Sequence, residues 1–525
     1  MANQPNDHLY QLIKSLTKAE KRGFKIYATR SGNEGAKFIK LFDAIDKATS
    51  YDENAIINKV KGIHKRQLSN LKAHLYKQIL TSLRLININH NIDIQLREQL
   101  DYARILYTKG LYQQSLKILE KTKEVATQHY RATLRYEVLV FEKIIESQYI
   151  TRSLKNRADE LIDETHVTLS SMNEYTALSN LALRLYGIYI KAGHVRNKED
   201  YESISTFFSK SINSIDVSKL DFFGKHYLNV SYAWYSLIVQ DFILQYRHAT
   251  NWVQLFRKNP EMLALEPIWY LKGMHVLLEA LFVLGHSKKH SEEIKKLDEF
   301  LANPPCRIDE NLETVGFIYS YTSKINVHFI DGSFSEGIKL VPDLLKKLDK
   351  FADQVDPHRI LIFYYKIACL YFGAGNNERS INFLNRIINY PDSRLREDIH
   401  CFARILNLIA HFELGNQTLV DYQIRSVYRF LRKMNDLNLV QQEILTFIKN
   451  IGNLKEDQTK EAFLDLRNKL LQINKMPYQK RPFLYLDIVS WLESKIYNKS
   501  VQEIIKSKFK SRLLTSSLFG YPTKA

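Results

Sequence analysis

Few residues in this 525-residue chain have the types and spacing that catalysis or metal binding requires. Gly332 and Gly337 have the spacing of a phosphate-binding loop, but Ile338 stands where such a loop has the lysine that meets the phosphate. His286 and His290 lie four residues apart, which can place two imidazoles on one helix face, yet the two lysines between them would repel a cation. The sequence therefore predicts neither a phosphate loop nor a metal site.

Other catalytic patterns are missing as well. The chain contains no GxxxxGK[ST], GxGxxG, HExxH or GxSxG sequence. Its cysteines are widely spaced, without a CxxC pair, and are Cys306, Cys369 and Cys401. Cysteines of this kind are typical of small buried apolar side chains in a reducing cytoplasm. We therefore expect a protein that is not an enzyme and has no catalytic residues, no cofactor and no metal.

Positive charge is the chemical feature that remains. The net charge is +18, and it is concentrated at the two ends. Residues 1–90 hold 16 Lys and Arg against 7 Asp and Glu, and residues 475–525 hold 10 against 3, whereas residues 91–474 hold 49 against 47. Basic regions attract nucleic acid, anionic membranes or acidic proteins. A solvated basic surface without any ligand is the alternative interpretation.

The best-defined basic segment, residues 52–72, resembles a helix-turn-helix in which Gly62 would make the turn. The residues that would then be available to phosphates and base edges are Lys65, Arg66, Gln67, Asn70, Lys72, Lys77 and Arg84. Two departures are clear: Asn58 stands where that motif usually has a small residue, and the second helix runs on to about Ile86. The alternative is a basic helical cap that covers the first apolar face of a repeat array.

A second basic segment lies in the helix predicted from Val501 to Leu514. Its candidate contacts to RNA phosphates or an anionic membrane are Lys506, Lys508, Lys510 and Arg512. The alternative interpretation is a solvated terminal helix whose basic residues bind no ligand.

The elements that must position these residues are predicted to be helices. The chain has only Gly 18 and Pro 11, and no proline lies between Pro5 and Pro260. Folds built on strands need many glycine and proline turns. Residues 65–86 repeat apolar side chains at three- and four-residue spacing, as an amphipathic helix does. No segment shows a clear strand alternation, and the fold class is therefore predicted to be all-α.

Several connections share one pattern, in which an apolar helix ends at a glycine and a second apolar helix follows. The glycines of these repeat turns are Gly110, Gly332, Gly375 and Gly415. Glycine readily adopts the left-handed conformation that ends a helix. In the first three cases a small residue stands five positions later, at Ser115, Gly337 and Ser380, and would let the two helices approach closely. The last three glycines are 43 and 40 residues apart.

The segment from Tyr107 to Leu119 resembles a tetratricopeptide repeat. Gly110 is followed by an aromatic residue at Tyr112, a small residue at Ser115 and then large apolar residues. The repeats here are longer than the family's roughly 34 residues and are degenerate. The resemblance covers about residues 95–450 and implies a right-handed α-solenoid of antiparallel helix hairpins with a concave groove. An irregular helical bundle is the alternative.

Three domains are expected: a basic N-terminal helical domain at 1–90, the solenoid at 91–450, and a C-terminal helical cap with a basic tail at 451–525. The two ends would form basic helical caps. The leading hypothesis for function is a non-enzymatic scaffold that binds a protein or peptide in the groove. The alternative is a nucleic-acid-associated factor, either a transcriptional regulator or an RNA- or ribosome-bound protein, that uses the basic N-terminal helices.

The sequence also predicts a cellular compartment. The first residues lack a positive region followed by an apolar stretch, and no apolar run reaches the roughly 20 residues of a membrane span. A cytoplasmic protein without a membrane span is expected. Neither the identity of the partner nor the oligomeric state follows from the sequence.

Overall fold

The fold is all-α. The computed structural model describes residues 7–30, 36–60, 64–148, 156–306, 308–352, 354–392, 395–433, 438–451, 456–476, 478–479, 482–483 and 487–518. Every regular element in these ranges is a helix, and they contain no strand, so the predicted fold class is confirmed at this level. The chain divides into two compact units, Met1–Met172 and Asn173–Ala525. The three-domain division stays a prediction.

The first unit contains two groups of helices, each with its own apolar core. The first group is α1 (His8–Ser15), α2 (Lys18–Thr29), α3 (Lys37–Lys47), α4 (Glu53–Lys59) and α5 (Lys65–Asn87). The second group is α6 (Ile92–Thr108), α7 (Tyr112–Gln128) and α8 (Ala132–Glu146). Phe24 and Phe42 lie in the first core with ring centroids 4.7 Å apart, and Phe141 lies in the second. The helix α9 (Arg157–Ala192) follows and continues into the second unit.

Polar side chains fix where several of the N-terminal helices begin. Thr17 and Glu20 form a capping box, in which Glu20 N donates to Thr17 Oγ1 at 3.2 Å and Thr17 N donates to Glu20 Oε2 at 2.9 Å. Asp52 Oδ1 accepts from the first backbone N–H groups of α4, and Asn91 Oδ1 does the same for α6. These caps separate α1 from α2 and set the start of each following helix.

The second unit is a succession of helices. They are α10 (Lys198–Asn213), α11 (Phe222–Val239), α12 (Phe242–Arg257), α13 (Pro260–Leu265), α14 (Pro267–Val283), α15 (Ser287–Ala302), α16 (Glu310–Asp331), α17 (Phe334–Gly337), α18 (Val341–Lys350), α19 (Pro357–Gly373), α20 (Asn377–Ile388), α21 (Glu397–Glu413), α22 (Gln417–Lys433), α23 (Leu439–Ile451), α24 (Glu456–Lys475), α25 (Ile488–Ile496) and α26 (Val501–Leu518). Most consecutive helices pack against one another, and α14 and α19 also contact α16 and α21. This packing is consistent with a helical repeat. Among the described residues, no helix combines the length and the apolar character that crossing a bilayer requires.

The glycines of the predicted repeat turns have left-handed backbone conformations. Their φ values are +75° at Gly110, +71° at Gly332, +82° at Gly375 and +72° at Gly415. After the first of these turns, Ser115 Oγ donates to Ala103 O at 2.8 Å. After the third, Ser380 Oγ donates to Ala368 O at 2.9 Å, and both serines are fully buried. The small residue five positions after the glycine therefore contacts the preceding helix in the same way at both turns.

The helix α26 packs against a turn far earlier in the sequence. A Cβ atom on Gly332 would lie 2.9 Å from the backbone nitrogen of Lys506 and 3.0 Å from the carbonyl oxygen of Gln502. Nearby, Ser335 N and Ser335 Oγ each donate to Gln502 Oε1 at 3.0 Å. Gly332 is thus required for its backbone conformation and also for the close approach of α26.

Candidate functional site

Most of the residues predicted to contact nucleic acid in the N-terminal region are exposed on α5. Gly62, the glycine of the proposed turn, lies outside the described residues. Besides Arg84, the exposed residues are Lys65, Arg66, Gln67, Asn70 and Lys77. Arg66, Asn70 and Lys77 share one face of α5 because they are separated by four and seven positions. Within the described ranges, no carboxylate forms an ion pair with the three cations of this group.

Lys72 and Arg84 are engaged within the chain. Lys72 Nζ forms an ion pair with Asp7, which caps α1, and donates to Tyr51 OH at 2.7 Å. Burial lowers the pKa of Lys72, but the bonds to Asp7 and Tyr51 outweigh burial and raise it overall. Arg84 Nη2 lies 3.0 Å from Asp101 Oδ2, and both side chains are exposed. Lys72 therefore ties α5 to the start of α1, whereas the Arg84 pair is weak because water screens it.

Among the basic residues of α26, one forms an ion pair within the chain and the others are exposed. Lys508 Nζ lies 2.7 Å from Glu493 Oε2 and donates to Ser490 Oγ at 2.8 Å, so it joins α26 to α25. The exposed residues are Lys506, Lys510 and Arg512. These three remain available to an anionic partner.

The second unit contains three neighbouring groups of aromatic and charged side chains that sequence reasoning did not single out. We call them together the aromatic-cationic band. Its members are Tyr175, Tyr227, Trp269, Lys272, His275, Glu279, Tyr319, Ser323, Asn326, Arg359 and Lys366. They lie on α9, α11, α14, α16 and α19. The three members on α16 are buried and the others are half-buried, so the band reaches solvent along most of its length.

Aromatic rings form one end of the band. The ring centroids of Tyr175 and Tyr227 lie 5.3 Å apart with an edge-to-face geometry, and those of Tyr227 and Trp269 lie 5.7 Å apart. Lys272 Nζ lies 4.6 Å from the centroid of the Trp269 ring. Such ring pairs and cation–ring contacts are favourable because the ring faces carry negative partial charge. The rings thereby hold Lys272 at the edge of an aromatic surface.

A stacked pair of rings forms the middle of the band. The His275 and Tyr319 rings are nearly parallel, at an angle of 6°, with centroids 4.3 Å apart. The guanidinium carbon of Arg359 lies 5.7 Å from the centroid of the Tyr319 ring. The contacts join α14, α16 and α19, which are about 40 residues apart in the sequence.

A hydrogen-bonded polar group forms the other end. Asn326 is fully buried, its Nδ2 donates to Glu279 Oε1 at 2.9 Å, and its Oδ1 accepts from Lys366 Nζ at 2.6 Å. Lys366 Nζ also lies 5.7 Å from each of the Phe282 and Phe329 ring centroids. Glu279 and Lys366 therefore compensate each other through the amide of Asn326.

Electrostatics within the band favour an anionic partner. Burial lowers the pKa of Lys272, and the positive charge of Arg359 lowers it further. Burial also lowers the pKa of His275 to about 4, with Arg359 and Lys366 adding to the effect and Glu279 opposing it. Burial alone would raise the pKa of Glu279, but Lys366 and the other neighbours outweigh it and lower the pKa overall. At neutral pH the band thus carries three cations, one carboxylate and a neutral imidazole.

Two of those cations have no carboxylate within ion-pair distance among the described residues. In the part of the chain that the structure describes, neither Lys272 nor Arg359 forms an ion pair. Asp356 lies three positions before Arg359, but its Oδ1 is 2.6 Å from His358 Nδ1. Desolvated cations that lack a carboxylate are stabilised when an anion approaches. The band can therefore contact an apolar or aromatic group at its ring end and an acidic group beside Lys272 and Arg359.

The band has a signal in the sequence, although the turn pattern does not reveal it. On α14, Lys272, His275 and Glu279 are spaced by three and four positions, so they share one face of the helix. On α16, Tyr319, Ser323 and Asn326 are spaced by four and three positions and likewise share one face. Polar residues in register on an otherwise apolar helix mark a face that does more than fill a core. Which of these faces meet is fixed only by the packing of distant helices.

Comparisons with known proteins do not assign the chain to a family. No family model, no curated protein and no solved structure matches the chain. The resemblance to tetratricopeptide repeats therefore depends on the glycine-turn residues and on the packing of each helix against its neighbours. Within the described residues, no group of three or more His, Cys, Asp and Glu side chains is placed to hold a metal ion.

Proposed function

We propose that this chain is a cytoplasmic, non-enzymatic helical-repeat scaffold that binds a peptide segment of a partner protein on the aromatic-cationic band. In this proposal the second unit is part of a right-handed solenoid of antiparallel hairpins, the band lies in its groove, and the basic helices at the two ends cap the array. The observation that carries it is the three groups of ring, cation–ring and hydrogen-bond contacts that join α9, α11, α14, α16 and α19 between Tyr175 and Lys366.

The chemistry of the band suits a peptide. Half-buried tyrosine and tryptophan rings offer large contact areas while losing little conformational entropy, and such residues dominate binding energy at protein interfaces. Lys272 and Arg359 add charge that pairs with a carboxylate, and the planar guanidinium can bind one through two hydrogen bonds. We therefore expect the preferred peptide to combine an aromatic or large apolar residue with Asp or Glu.

The direct test is a binding assay on an array of random-sequence peptides, with the full-length chain as the probe. The wild-type chain should select peptides enriched in Asp and Glu next to aromatic residues. The double substitution Lys272→Glu and Arg359→Glu should weaken binding of those peptides by ~10-fold or more, because a hydrogen bond to a charged group contributes about 1.5–3 kcal/mol.

The matched control makes the same change of charge at two lysines outside the band. Lys288 and Lys295 are exposed on α15, and Lys288→Glu with Lys295→Glu should leave the peptide selection unchanged. If the wild-type chain enriches no peptide, or if both double variants lose binding equally, peptide binding on the band is contradicted.

A second candidate function, nucleic-acid association, is favoured by the exposed cationic face of α5. Gel-shift titrations with random-sequence duplex DNA and single-stranded RNA at several salt concentrations test it. If α5 contacts phosphates, Arg66→Glu with Lys77→Glu should reduce affinity and make the slope of log affinity against log salt less negative by about 2. The control is Lys117→Glu with Lys121→Glu, an equal charge change at exposed positions of α7. Retention that is absent at low salt, or reduced equally by both variants, would count against this function.

A further inference from the structure

A cavity of about 650 Å³ lies in the second unit, with α18 on one side and α19 and α20 on the other. We call it the α18–α20 cavity. It is lined by apolar side chains from α18, by one tyrosine from α19, by two arginines from α20 and by the asparagine that caps α20. The lining residues are Val341, Pro342, Leu345, Tyr371, Asn376, Arg379, Asn382, Phe383 and Arg386. A volume of this size, with mostly apolar walls and a few polar groups, is typical of sites for small molecules.

The two arginines give the cavity a positive charge that no neighbouring carboxylate compensates. Arg379 and Arg386 are both exposed, and neither forms an ion pair within the part of the chain that the structure describes. Among the described residues, no Asp or Glu side chain lines the cavity. Glu378 directly precedes Arg379, so it projects from α20 in a direction roughly 100° away. On α18, Asp343 accepts a hydrogen bond from Tyr321 OH. The cavity therefore favours an anionic ligand.

The spacing of the arginines places one positive charge toward each end of the cavity. Arg379, Phe383 and Arg386 share one face of α20, because they are separated by four and three positions. Seven positions of helix correspond to roughly 10 Å along the axis. Both side chains lean toward the helix N-terminus, so their charged groups keep a similar separation. The guanidinium carbon of Arg386 lies 4.9 Å from the Phe383 ring centroid and 5.4 Å from that of Tyr364, and these contacts hold it in place.

Aromatic and aliphatic surface completes the cavity. The rings of Tyr371 and Phe383 stack at an angle of 13°, with centroids 5.8 Å apart. Phe383 is buried, whereas Tyr371 and Leu345 are half-buried and offer apolar surface to a ligand. A flat aromatic group gains free energy by covering such surface. Each guanidinium can bind a carboxylate or phosphate through two hydrogen bonds.

We propose that the α18–α20 cavity binds a small aromatic molecule that has an acidic group on each side of its ring. The acidic groups pair with Arg379 and Arg386, and the ring lies against Tyr371 and Leu345. This site is separate from the aromatic-cationic band. On α19, Tyr371 follows Lys366 by five positions, so the two side chains project in directions roughly 140° apart. The inference goes beyond peptide binding on the band and does not depend on it.

Isothermal titration calorimetry of the full-length chain with terephthalate tests the proposal. Terephthalate has one ring with a carboxylate on each side. The wild-type chain should bind it ~10-fold more tightly than benzoate, which has only one carboxylate, because a hydrogen bond to a charged group contributes about 1.5–3 kcal/mol. It should also bind terephthalate more tightly than adipate, which has two carboxylates and no ring.

Substitutions show whether the ligand lies in the cavity. Arg379→Gln with Arg386→Gln should weaken terephthalate binding by ~10-fold or more, because both charged partners are lost. Leu345→Trp should weaken it as well, because the larger side chain fills the cavity while both arginines remain. The matched control is Arg425→Gln with Arg429→Gln, which removes the same charge at exposed positions of α22 and should leave the affinity unchanged. Thermal unfolding of each variant checks that it is folded.

Four outcomes would overturn the proposal. The wild-type chain may fail to bind terephthalate, or it could bind benzoate or adipate equally tightly. The arginine variants of α20 and α22 could lose the same affinity, which would show a general effect of charge. Affinity that survives in folded Leu345→Trp would place the ligand outside the cavity.

Discussion

Replacing Gly332 with alanine is expected to lower the stability of the second unit by about 2–4 kcal/mol. The left-handed φ of +71° contributes roughly 1 kcal/mol of this, because a Cβ atom is disfavoured in that conformation. The larger contribution comes from α26, whose backbone atoms lie 2.9 Å and 3.0 Å from the position of the new Cβ and cannot move without the whole helix. Overpacking of this kind typically costs about 1–3 kcal/mol. Urea denaturation followed by tryptophan fluorescence measures the difference.

Gly375 provides the matched control for this substitution. Its φ of +82° is similar, but a Cβ atom there would meet nothing within 4 Å. Gly375→Ala should therefore cost only the backbone strain of about 1 kcal/mol. Equal losses at the two glycines would show that α26 does not pack against the turn at Gly332.

Acidification below pH 6.5 is expected to destabilise the fold, and His226 is expected to contribute strongly. His226 is fully buried among the rings of Trp252, Phe256 and Trp269, and neither ring nitrogen has a hydrogen-bond partner among the described residues. Burial, with a smaller effect from Lys272, lowers its pKa from 6.5 to about 3. Its neutral form is therefore the one that the folded chain accommodates.

The sign of the pH effect follows from this depressed pKa. As the pH falls below 6.5, the unfolded chain takes up a proton on His226 that the folded chain does not, so unfolding becomes more favourable until the pH reaches about 3. One such histidine changes the free energy of unfolding by up to about 1.4 kcal/mol per pH unit. Burial is also the main cause of the lowered pKa values, about 4 each, at His275, His290 and His400, which act in the same direction.

Substitution of His226 measures how much this residue contributes to the pH dependence of stability. In His226→Phe the free energy of unfolding should fall less steeply between pH 6.5 and about 4 than in the wild-type chain. Phe256→Leu is the control, because it disturbs the same cluster of rings without changing a titratable group, and it should lower stability with an unchanged pH slope. An unchanged slope in His226→Phe would mean that this histidine takes up its proton in the folded chain as well.

The helices and the turns that end several of them can be predicted from local features of the sequence. Scarce glycine and proline and the three- to four-residue apolar spacing predict helices, and the structure contains no strand in the residues it describes. The left-handed φ at Gly332 and Gly375 has a local cause, since glycine can end a helix at little cost. Such features depend on a few neighbouring residues, and those neighbours are visible in the sequence.

The candidate site could not be predicted in the same way. Lys272, Tyr319 and Arg359 are brought together by the packing of α14, α16 and α19, and no local rule fixes which faces of those helices meet. Lys72 shows the same difficulty in a different way. Its charge and its position on α5 are visible in the sequence. The sequence does not show that its charge is compensated by Asp7, because that residue lies on a different helix boundary.

Hydrogen–deuterium exchange of the full-length chain, with and without a peptide selected from the random array, shows whether the aromatic-cationic band is the binding site. We expect slower exchange on binding in α14, α16 and α19, where the band lies, and unchanged exchange in α22 and α24. We also expect that the protection disappears in the variant with Lys272→Glu and Arg359→Glu. Protection confined to other helices, or protection that survives in this variant, would contradict the assignment of the band as the binding site.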